Sequence, residues 1–479
     1  MLFNSFAFLL FFPIVFIIYW FVFAKQVKWQ NLLLLSASYF FYGWWNYKLV
    51  GLLLASTVLD YLFGTWIIKN KGNRAKLYLV LSIIVNILLL GFFKYYNFFA
   101  AELNLLLQQF GLQSQIPILQ ILLPIGISFY TFHGISYVID CYRKQQIQIP
   151  NFIDYAVFVS FFPLLVAGPI ERAQHLLPQV TNPRIFNYKQ WVEGSRLMLW
   201  GFFKKVVIAD SLAQIVNPIY SDYSNMSPAM LAIGTLAFSF QIYSDFSGYS
   251  DIALGSAKLM GFELLSNFKF PYFSRSIAEF WRRWHISLSS WFRDYLYIPL
   301  GGSRKGYISA IFNTIIIFLV SGFWHGASWN YIVWGGLHAI YFIPLMWNGR
   351  KEKYKTHVVA QDRRFATSFE LIQMIGTFML VALAWNFFRI QELKHAWLYT
   401  RNLISGILKF NWNLSHAEII TWAIWWIPVL LAIEWVNRRD ERVFSVPNHI
   451  ILRWGLYLVM TFCIFMSGNK DQTFLYFQF

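Results

Sequence analysis

The chain has 479 residues, of which 58% are hydrophobic and only 13% are charged. Soluble domains carry about 25% charged residues, so this composition excludes a water-soluble enzyme, a secreted disulfide scaffold and a disordered protein. It indicates an integral membrane protein. The net charge of +17 fits that class, because Lys and Arg collect in the cytoplasmic loops of membrane proteins, and no nucleic-acid partner is expected.

Continuous apolar runs predict membrane helices along the whole chain. The first run, at 1–23, has neither a positive leading region nor a small-residue cleavage site, so we interpret it as a spanning helix and not as a signal peptide. Uninterrupted runs exclude a transmembrane β-barrel, whose strands alternate. We predict an all-α integral membrane protein with about 11–13 transmembrane or re-entrant helices. The further runs are at about 31–46, 49–68, 77–94, 116–139, 152–167, 196–218, 228–244, 307–324, 328–347, 368–387, 418–437 and 451–468.

Loop charge predicts the orientation of these helices. Positive residues follow the first, third and fifth runs, which places the N-terminus outside. Segment 168–195 departs from this scheme, because it is charged where simple alternation makes it external. Either that loop is external despite its charge, or 152–167 is re-entrant. The Gly-Pro break at 168–169 favours re-entry, since it frees backbone groups that only a protein-lined site satisfies.

No repeat, linker or soluble domain interrupts the chain. We expect a single polytopic membrane domain over 1–479, with N-terminal helices at 1–145, a catalytic core with re-entrant segments at 146–350 and C-terminal helices at 351–479. The strongly charged stretch 348–367 is expected to be a solvated cytoplasmic loop.

Segment 271–306 mixes charged and aromatic residues to an unusual degree. It is too polar to span lipid and too aromatic for an ordinary loop. On one helix, Trp281 and Ser289 would lie one turn either side of His285. The composition fits an amphipathic helix that anchors in the membrane interface. It fits equally well a buried re-entrant helix that lines a polar cavity.

A second histidine interrupts the apolar runs at 307–347. His325 is flanked by Gly322 and Gly326, which permit a close approach of backbone or ligand. An ionisable group inside a membrane segment indicates function by default, and a neutral imidazole is a natural general base near pH 7. The alternative is a histidine hydrogen-bonded between helices. His338 would lie about 20 Å away on a continuous helix, so we expect it to have a structural role.

Other chemistry is less well supported. Asp245 and Asp251, in the polar stretch 240–255, are typical of helix–helix contacts or of a polar path, and we expect the structural role. No pair of histidines four residues apart and no thiolate pair is available for a metal, and no phosphate-binding glycine motif occurs. We therefore expect a histidine that acts without a protein nucleophile.

Several motifs, in order along the chain, resemble the membrane-bound O-acyltransferase family, and more narrowly its bacterial branch that acts in alginate O-acetylation. They are LPIGISFYTFHGISYVIDCYR (123–143), DYAVFVSFFPLLVAGPIER (154–172), SDFSGYSDIALG (244–255), EFWRRWHISLSSWFRDYLYIPLGGSRKG (279–306), GFWHGASWNYIVWGGLHA (322–339) and the terminal YFQF (476–479).

The resemblance implies a ring of helices around a central channel, with His325 at the position of the family's intramembrane histidine and His285 at the second motif position. Burial in such a channel protects a thioester from water, and Arg or Lys side chains attract the phosphates of a coenzyme A-like donor. The substrate-binding residues expected beside the two histidines are Arg282, Arg283, Trp284, Ser289, Arg304, Lys305 and Trp324.

The implied reaction is transfer of an acyl group, expected to be acetyl, from a cytosolic thioester such as acetyl-CoA, with no tightly bound cofactor and no metal. The implied setting is the bacterial inner membrane, where membrane lipid surrounds the chain. An extracytoplasmic acetyltransferase partner or a polysaccharide would receive the acyl group. Two alternatives stay open: transfer of D-alanine or another short acyl group from a carrier protein to a cell-envelope polymer, and a non-enzymatic transporter of lipid-linked sugar.

Overall fold

The structure is a computed structural model that describes residues 1–112, 116–146, 148–166, 168–347, 354, 357–410, 413–414, 416–468 and 475. Within these ranges the chain is helical and contains no strand, which confirms the predicted all-α class. The chain forms two compact units. The first comprises 1–192 with 256–265, and the second comprises 193–255 with 266–479. The motif YFQF at 476–479 lies outside the described residues.

The first unit contains nine α-helices within the described ranges. They are α1 (Phe6–Ile17), α2 (Val27–Gly43), α3 (Val50–Lys69), α4 (Gly72–Leu90), α5 (Tyr96–Gln109), α6 (Ile127–Tyr142), α7 (Phe152–Ser160), α8 (Phe162–Leu165) and α9 (Ala173–Thr181). The run predicted at 152–167 is thus two short helices. At 1.5 Å per residue, α7 is about 14 Å long, half the thickness of a bilayer core, so it is too short to span.

Two charges of segment 168–195 are buried in the first unit. Arg184 donates to the Tyr19 hydroxyl over 2.8 Å and to Asn31 Oδ1 over 2.7 Å. Glu171 accepts the Leu265 N–H over 2.6 Å and pairs with His175 over 2.7 Å. Because these side chains bond to protein groups and not to solvent, they do not report on the side of the membrane. This explains why the charge of the segment conflicts with simple alternation.

The second unit is built mainly from the helices after 187. They are α10 (Tyr188–Phe202), α11 (Asp210–Ser221), α12 (Pro228–Leu259), α13 (Ile277–Trp281), α14 (Ile286–Phe292), α15 (Tyr307–His325), α16 (Trp329–Trp347), α17 (Ser368–Arg389), α18 (Leu393–Leu408), α19 (Trp426–Asn437) and α20 (Ile450–Ser467), with α10 beginning and α12 ending in residues of the first unit.

Five helical segments of the described chain are long and apolar enough to cross a membrane. They are Tyr47–Lys69, Gly72–Gln109, Tyr307–His325, Ser368–Arg389 and Ile450–Ser467. Two shorter apolar segments, Phe6–Val22 and Trp422–Asn437, accompany them. Many large apolar side chains on these segments face outward; Phe465, for example, is 84% exposed. Such a surface is compatible with lipid and not with water.

The polar stretch at 240–255 lies within α12, and its two aspartates form ion pairs with buried lysines. A π-helical turn at Phe203–Ala209 directs two adjacent lysines inward. Lys205 Nζ pairs with Asp210 and Asp245 over 2.8 and 2.7 Å, and Lys204 Nζ pairs with Asp251 over 2.7 Å. This network supports the predicted structural role of the two α12 aspartates. The lysines were not anticipated, although a Lys-Lys pair within the apolar run 196–218 was a visible signal.

Over the part that the structure describes, the stretch at 348–367 is mostly exposed, as its charge predicts, but a short part of it is buried. Val359 and Ala360 are buried. Arg438 donates to the carbonyl oxygens of Ala360 over 3.1 Å and Arg363 over 2.8 Å. This buried part was not predicted, because composition does not reveal a guanidinium that binds the loop carbonyls. Residues 348–353 and 355–356 lie outside the described residues.

Candidate active site

His325 is the last residue of α15, and nearby glycines determine its position. Gly326 is extended, with φ −162° and ψ 153°, and ends the helix. A Cβ on Gly322 would lie 2.1 Å from the carbonyl oxygen of Tyr331, and a Cβ on Gly335 would lie 2.2 Å from that of Phe318. Side chains at these positions would therefore force α15 and α16 apart. The close approach holds His325, which is only 5% exposed, at the turn between the two helices.

His285 lies at a break between two short helices and not on the single helix that the sequence predicts. Its backbone is left-handed, with φ 42° and ψ 54°, a conformation that costs about 1–3 kcal/mol in a residue other than glycine. The break is held by backbone pairing: the Ile286 N–H donates to Asn267 O, and the Lys269 N–H donates to Arg283 O, both over 2.9 Å. The prediction failed because periodicity does not register such long-range pairing.

The two histidine rings meet in the core of the second unit. Their centroids are 6.1 Å apart. His285 is fully buried, and neither of its ring nitrogens has a hydrogen-bond partner among the described residues. A buried imidazole with no acidic partner is neutral, so it presents one N–H donor and one lone pair. Polar atoms in this state cost about 1–3 kcal/mol each when they stay unsatisfied, which indicates that a ligand atom completes them.

Aromatic side chains enclose the histidine pair. Trp324 lies 5.0 Å from His325 and 6.0 Å from His285, measured between ring centroids. Trp334 and Phe388 contact His325 at 5.1 and 5.4 Å. A wall of this kind excludes water from a reacting thioester. Trp284, also predicted to bind substrate, is buried against Phe280 and Trp385, where it supports the wall.

The arginines of segment 271–306 belong to different environments. Arg283 is buried and donates to Glu279 Oε1 over 2.8 Å and to Lys269 O over 3.1 Å. Glu279 also pairs with Arg275 over 3.0 Å. These polar contacts of Arg283 are to protein atoms, which gives it a positioning role in this structure. Arg282 is half-buried at the end of α13.

Arg304 and Lys305 occupy an exposed turn just before α15. Since α15 has 19 residues, this turn is about 27 Å from His325 along the helix axis. Four basic residues, Arg282, Arg283, Arg304 and Lys305, were expected beside the histidines. The structure instead places Arg283 in a buried network and Arg304 and Lys305 in a distant surface turn. Of the four, only the surface pair is exposed.

A cavity of about 360 Å³ lies in the second unit, and neither His285 nor His325 is among the residues that line it. Ser289 lines it, together with Trp281, Arg293, Phe318 and Ser321. Its walls are apolar, with serine and threonine hydroxyls between the rings, as is usual for small-molecule sites. The cavity is large enough for part of a substrate, and it brings the predicted residue Ser289 into a candidate binding site.

His338 forms a layer between that cavity and His325. The helix is interrupted at 326–328, between α15 and α16. The separation of His325 and His338 expected along one continuous helix therefore does not apply. His338 Nδ1 accepts the Trp281 indole N–H over 3.3 Å. Its ring lies 5.0 Å from that of Trp334, which in turn contacts His325. These contacts support a structural role, in which His338 orients the aromatic wall.

Comparison with known proteins identifies the family of the chain. Residues 127–356 match the sequence model of the membrane-bound O-acyltransferase family, a range that contains both histidines. The chain is 40% identical to a probable alginate O-acetylase of Azotobacter vinelandii over 87% of this chain and 80% of that protein. It is 36% identical to the peptidoglycan O-acetyltransferase of Helicobacter pylori, over 99% and 91%.

A more distant similarity covers part of the chain. The teichoic acid D-alanyltransferase of Bacillus subtilis is 30% identical over 48% of this chain and 61% of that protein. The relatives that align along most of the chain are enzymes that transfer acyl groups. This favours an acyltransferase over the alternative of a transporter. The chain belongs to the membrane-bound O-acyltransferase family and is a membrane O-acyltransferase.

Proposed function

We propose that the chain transfers an acetyl group from cytosolic acetyl-CoA to a hydroxyl of an extracytoplasmic cell-envelope polysaccharide, directly or through an extracytoplasmic partner protein, in the inner membrane of a bacterium. The observation that carries the proposal is the fully buried His285, whose two ring nitrogens lack partners among the described residues, 6.1 Å from His325. Two imidazoles in an aromatic enclosure suit the attack of a hydroxyl on an activated thioester.

The proposed chemistry needs no covalent enzyme intermediate. His325 takes the proton from the acceptor hydroxyl, and the oxygen attacks the thioester carbonyl carbon. The His285 N–H donates to the oxyanion that develops on that carbonyl. The tetrahedral intermediate then collapses, the carbon–sulfur bond breaks, and the departing thiolate takes the proton from His325. The ester product and free coenzyme A balance the atoms and charge.

The donor side is assigned to the exposed turn of Arg304 and Lys305. Their positive charge attracts the phosphates of coenzyme A, and attraction of this kind weakens with salt. The cavity beside Ser289 is the proposed path of the thioester toward the histidines. A carrier-bound donor, the alternative for D-alanyl transfer, would use the same turn, since carrier prosthetic groups also bear phosphate.

Acetyl transfer by purified protein in liposomes tests the proposal. Radiolabelled acetyl-CoA is supplied with alginate or peptidoglycan fragments as the acceptor, and labelled ester is counted. We expect His325→Ala to abolish transfer at normal protein yield. His449→Ala removes an exposed histidine and should leave transfer unchanged. Transfer by His325→Ala at more than a few per cent of the wild-type rate would refute the role of His325. A D-alanyl donor used in preference to acetyl-CoA would refute the acetyl assignment.

A further inference from the structure

Arg389 ends α17 directly beside the histidine site. The ring of the preceding residue, Phe388, contacts His325 at 5.4 Å. The same end of α17 is joined to the turn after His325, because Asn330 Nδ2 donates to Ile390 O. The Ser328 hydroxyl donates to Gln391 O over 3.4 Å. Arg389 therefore has a fixed position relative to His325, at the opposite end of these helices from the basic turn at Arg304 and Lys305.

The guanidinium of Arg389 is held in place but is poorly satisfied. It lies over the rings of Tyr220 and Phe238, at 5.8 and 6.0 Å from their centroids. Its Nη2 donates to Asn217 Oδ1 over 3.1 Å. Its Nε–H is buried without a partner among the described residues, and no described carboxylate forms an ion pair with it. A guanidinium has five N–H donors, so donors are left for a ligand.

Three other buried arginines of the second unit have several protein partners. Arg283 pairs with Glu279, and Arg275 pairs with Glu279 and Glu370. Arg438 donates to four backbone carbonyls. A partly buried cation without a counter-ion is costly. Arg389 differs from these three arginines, and its charge needs an explanation.

A second unsatisfied donor lies one turn away on α17. Asn386 is fully buried, and its Oδ1 accepts from the Tyr220 hydroxyl over 2.6 Å and from Thr235 over 3.0 Å. These bonds fix the amide orientation, so Nδ2 points its two N–H groups away from them. Nδ2 has no partner among the described residues. Residues three apart share a helix face, so Asn386 and Arg389 present donors to one region.

We infer that Arg389 and Asn386 bind an anionic oxygen pair of the acceptor, namely a carboxylate of an acidic sugar polymer. This inference rests on the proposed function, because it supplies the acceptor for the acetyl group. A planar guanidinium held over aromatic rings recognises a carboxylate bidentately. The contact positions a sugar hydroxyl next to His325 and gives the enzyme a preference for carboxylated over neutral polymers. Neither residue takes part in the bond changes.

Equilibrium binding to the purified full-length protein in phospholipid-free detergent tests the inference. The probes are a fluorescent hexamer of uronic acids and the same hexamer with its carboxylates reduced to hydroxymethyl groups. We expect the wild type to bind the uronate hexamer at least tenfold more tightly. Arg389→Gln should remove this preference without changing binding of the reduced hexamer, and Arg389→Lys should retain part of it. Arg401→Gln, an exposed arginine on α18, should behave as the wild type.

Each other outcome overturns the inference. Equal binding of both hexamers by the wild type would show that no carboxylate is recognised. Loss of uronate binding when anionic phospholipid is added would show that the site holds a lipid phosphate instead. Equal weakening of both hexamers by Arg389→Gln would indicate a structural role. Because binding does not require transfer, the proposed function is judged separately: uronate binding without any labelled ester would refute acetyl transfer and leave the carboxylate site standing.

Discussion

Replacing Gly335 with Ala should disable the enzyme through geometry alone. The new Cβ would lie 2.2 Å from the carbonyl oxygen of Phe318, whereas ordinary contacts begin at 3.4 Å. The contact is with backbone, which cannot rotate away, so α15 and α16 must separate by about 1 Å because protein interiors do not compress. His325 ends α15, and a displacement of that size at a reacting group costs about 100-fold in rate.

The neighbouring glycine provides a matched control. A Cβ on Gly336 would meet only Leu319 Cδ2 at 3.7 Å, so Gly336→Ala makes the same chemical change on the same helix without a clash. Initial rates of labelled acetyl transfer by the purified variants, at saturating donor and acceptor, compare the two. We expect kcat to fall about 100-fold for Gly335→Ala and less than twofold for Gly336→Ala. Similar activity of both variants, at similar thermal stability, would refute the reasoning.

Three further outcomes are expected. His285→Asn, which tolerates the left-handed backbone but shortens the donor, should lower kcat about 100-fold, the cost of one oxyanion donor; normal specific activity would remove His285 from the site. Lys205→Met should destabilise the protein by about 3–5 kcal/mol, because it leaves two buried carboxylates without their cation. Adding Asp210→Asn and Asp245→Asn should restore part of the melting temperature of the protein in detergent. An unchanged melting temperature of Lys205→Met would contradict the network. Arg304→Glu with Lys305→Glu should raise the KM for acetyl-CoA more than it lowers kcat, and the wild-type KM should rise with ionic strength; a KM that is insensitive to both changes would exclude donor binding at the turn.

The sequence by itself determined the class of the protein and much of its helix order. Long apolar runs have few alternatives to helices, because the backbone must satisfy its own hydrogen bonds in lipid. The runs at 307–324 and 328–347 accordingly appear as α15 and α16, with the break at the glycine after His325. His325 was singled out from residue type and surroundings alone, since ionisable groups are rare within such segments, whereas the role of His285 came from the family resemblance.

Only the tertiary structure decided how those residues are used. Segment 271–306 reads as a helix, yet backbone pairing with 267–269 breaks it at His285 and turns that ring toward His325. The lysines at 204 and 205 lie in an apolar run and were not predicted to form ion pairs. The sequence alone does not show whether Arg283 binds a substrate or Glu279. Local periodicity reports which face of a segment is apolar. Which buried charge meets which partner depends on contacts between residues distant in the chain, and these exist only once the helices have packed.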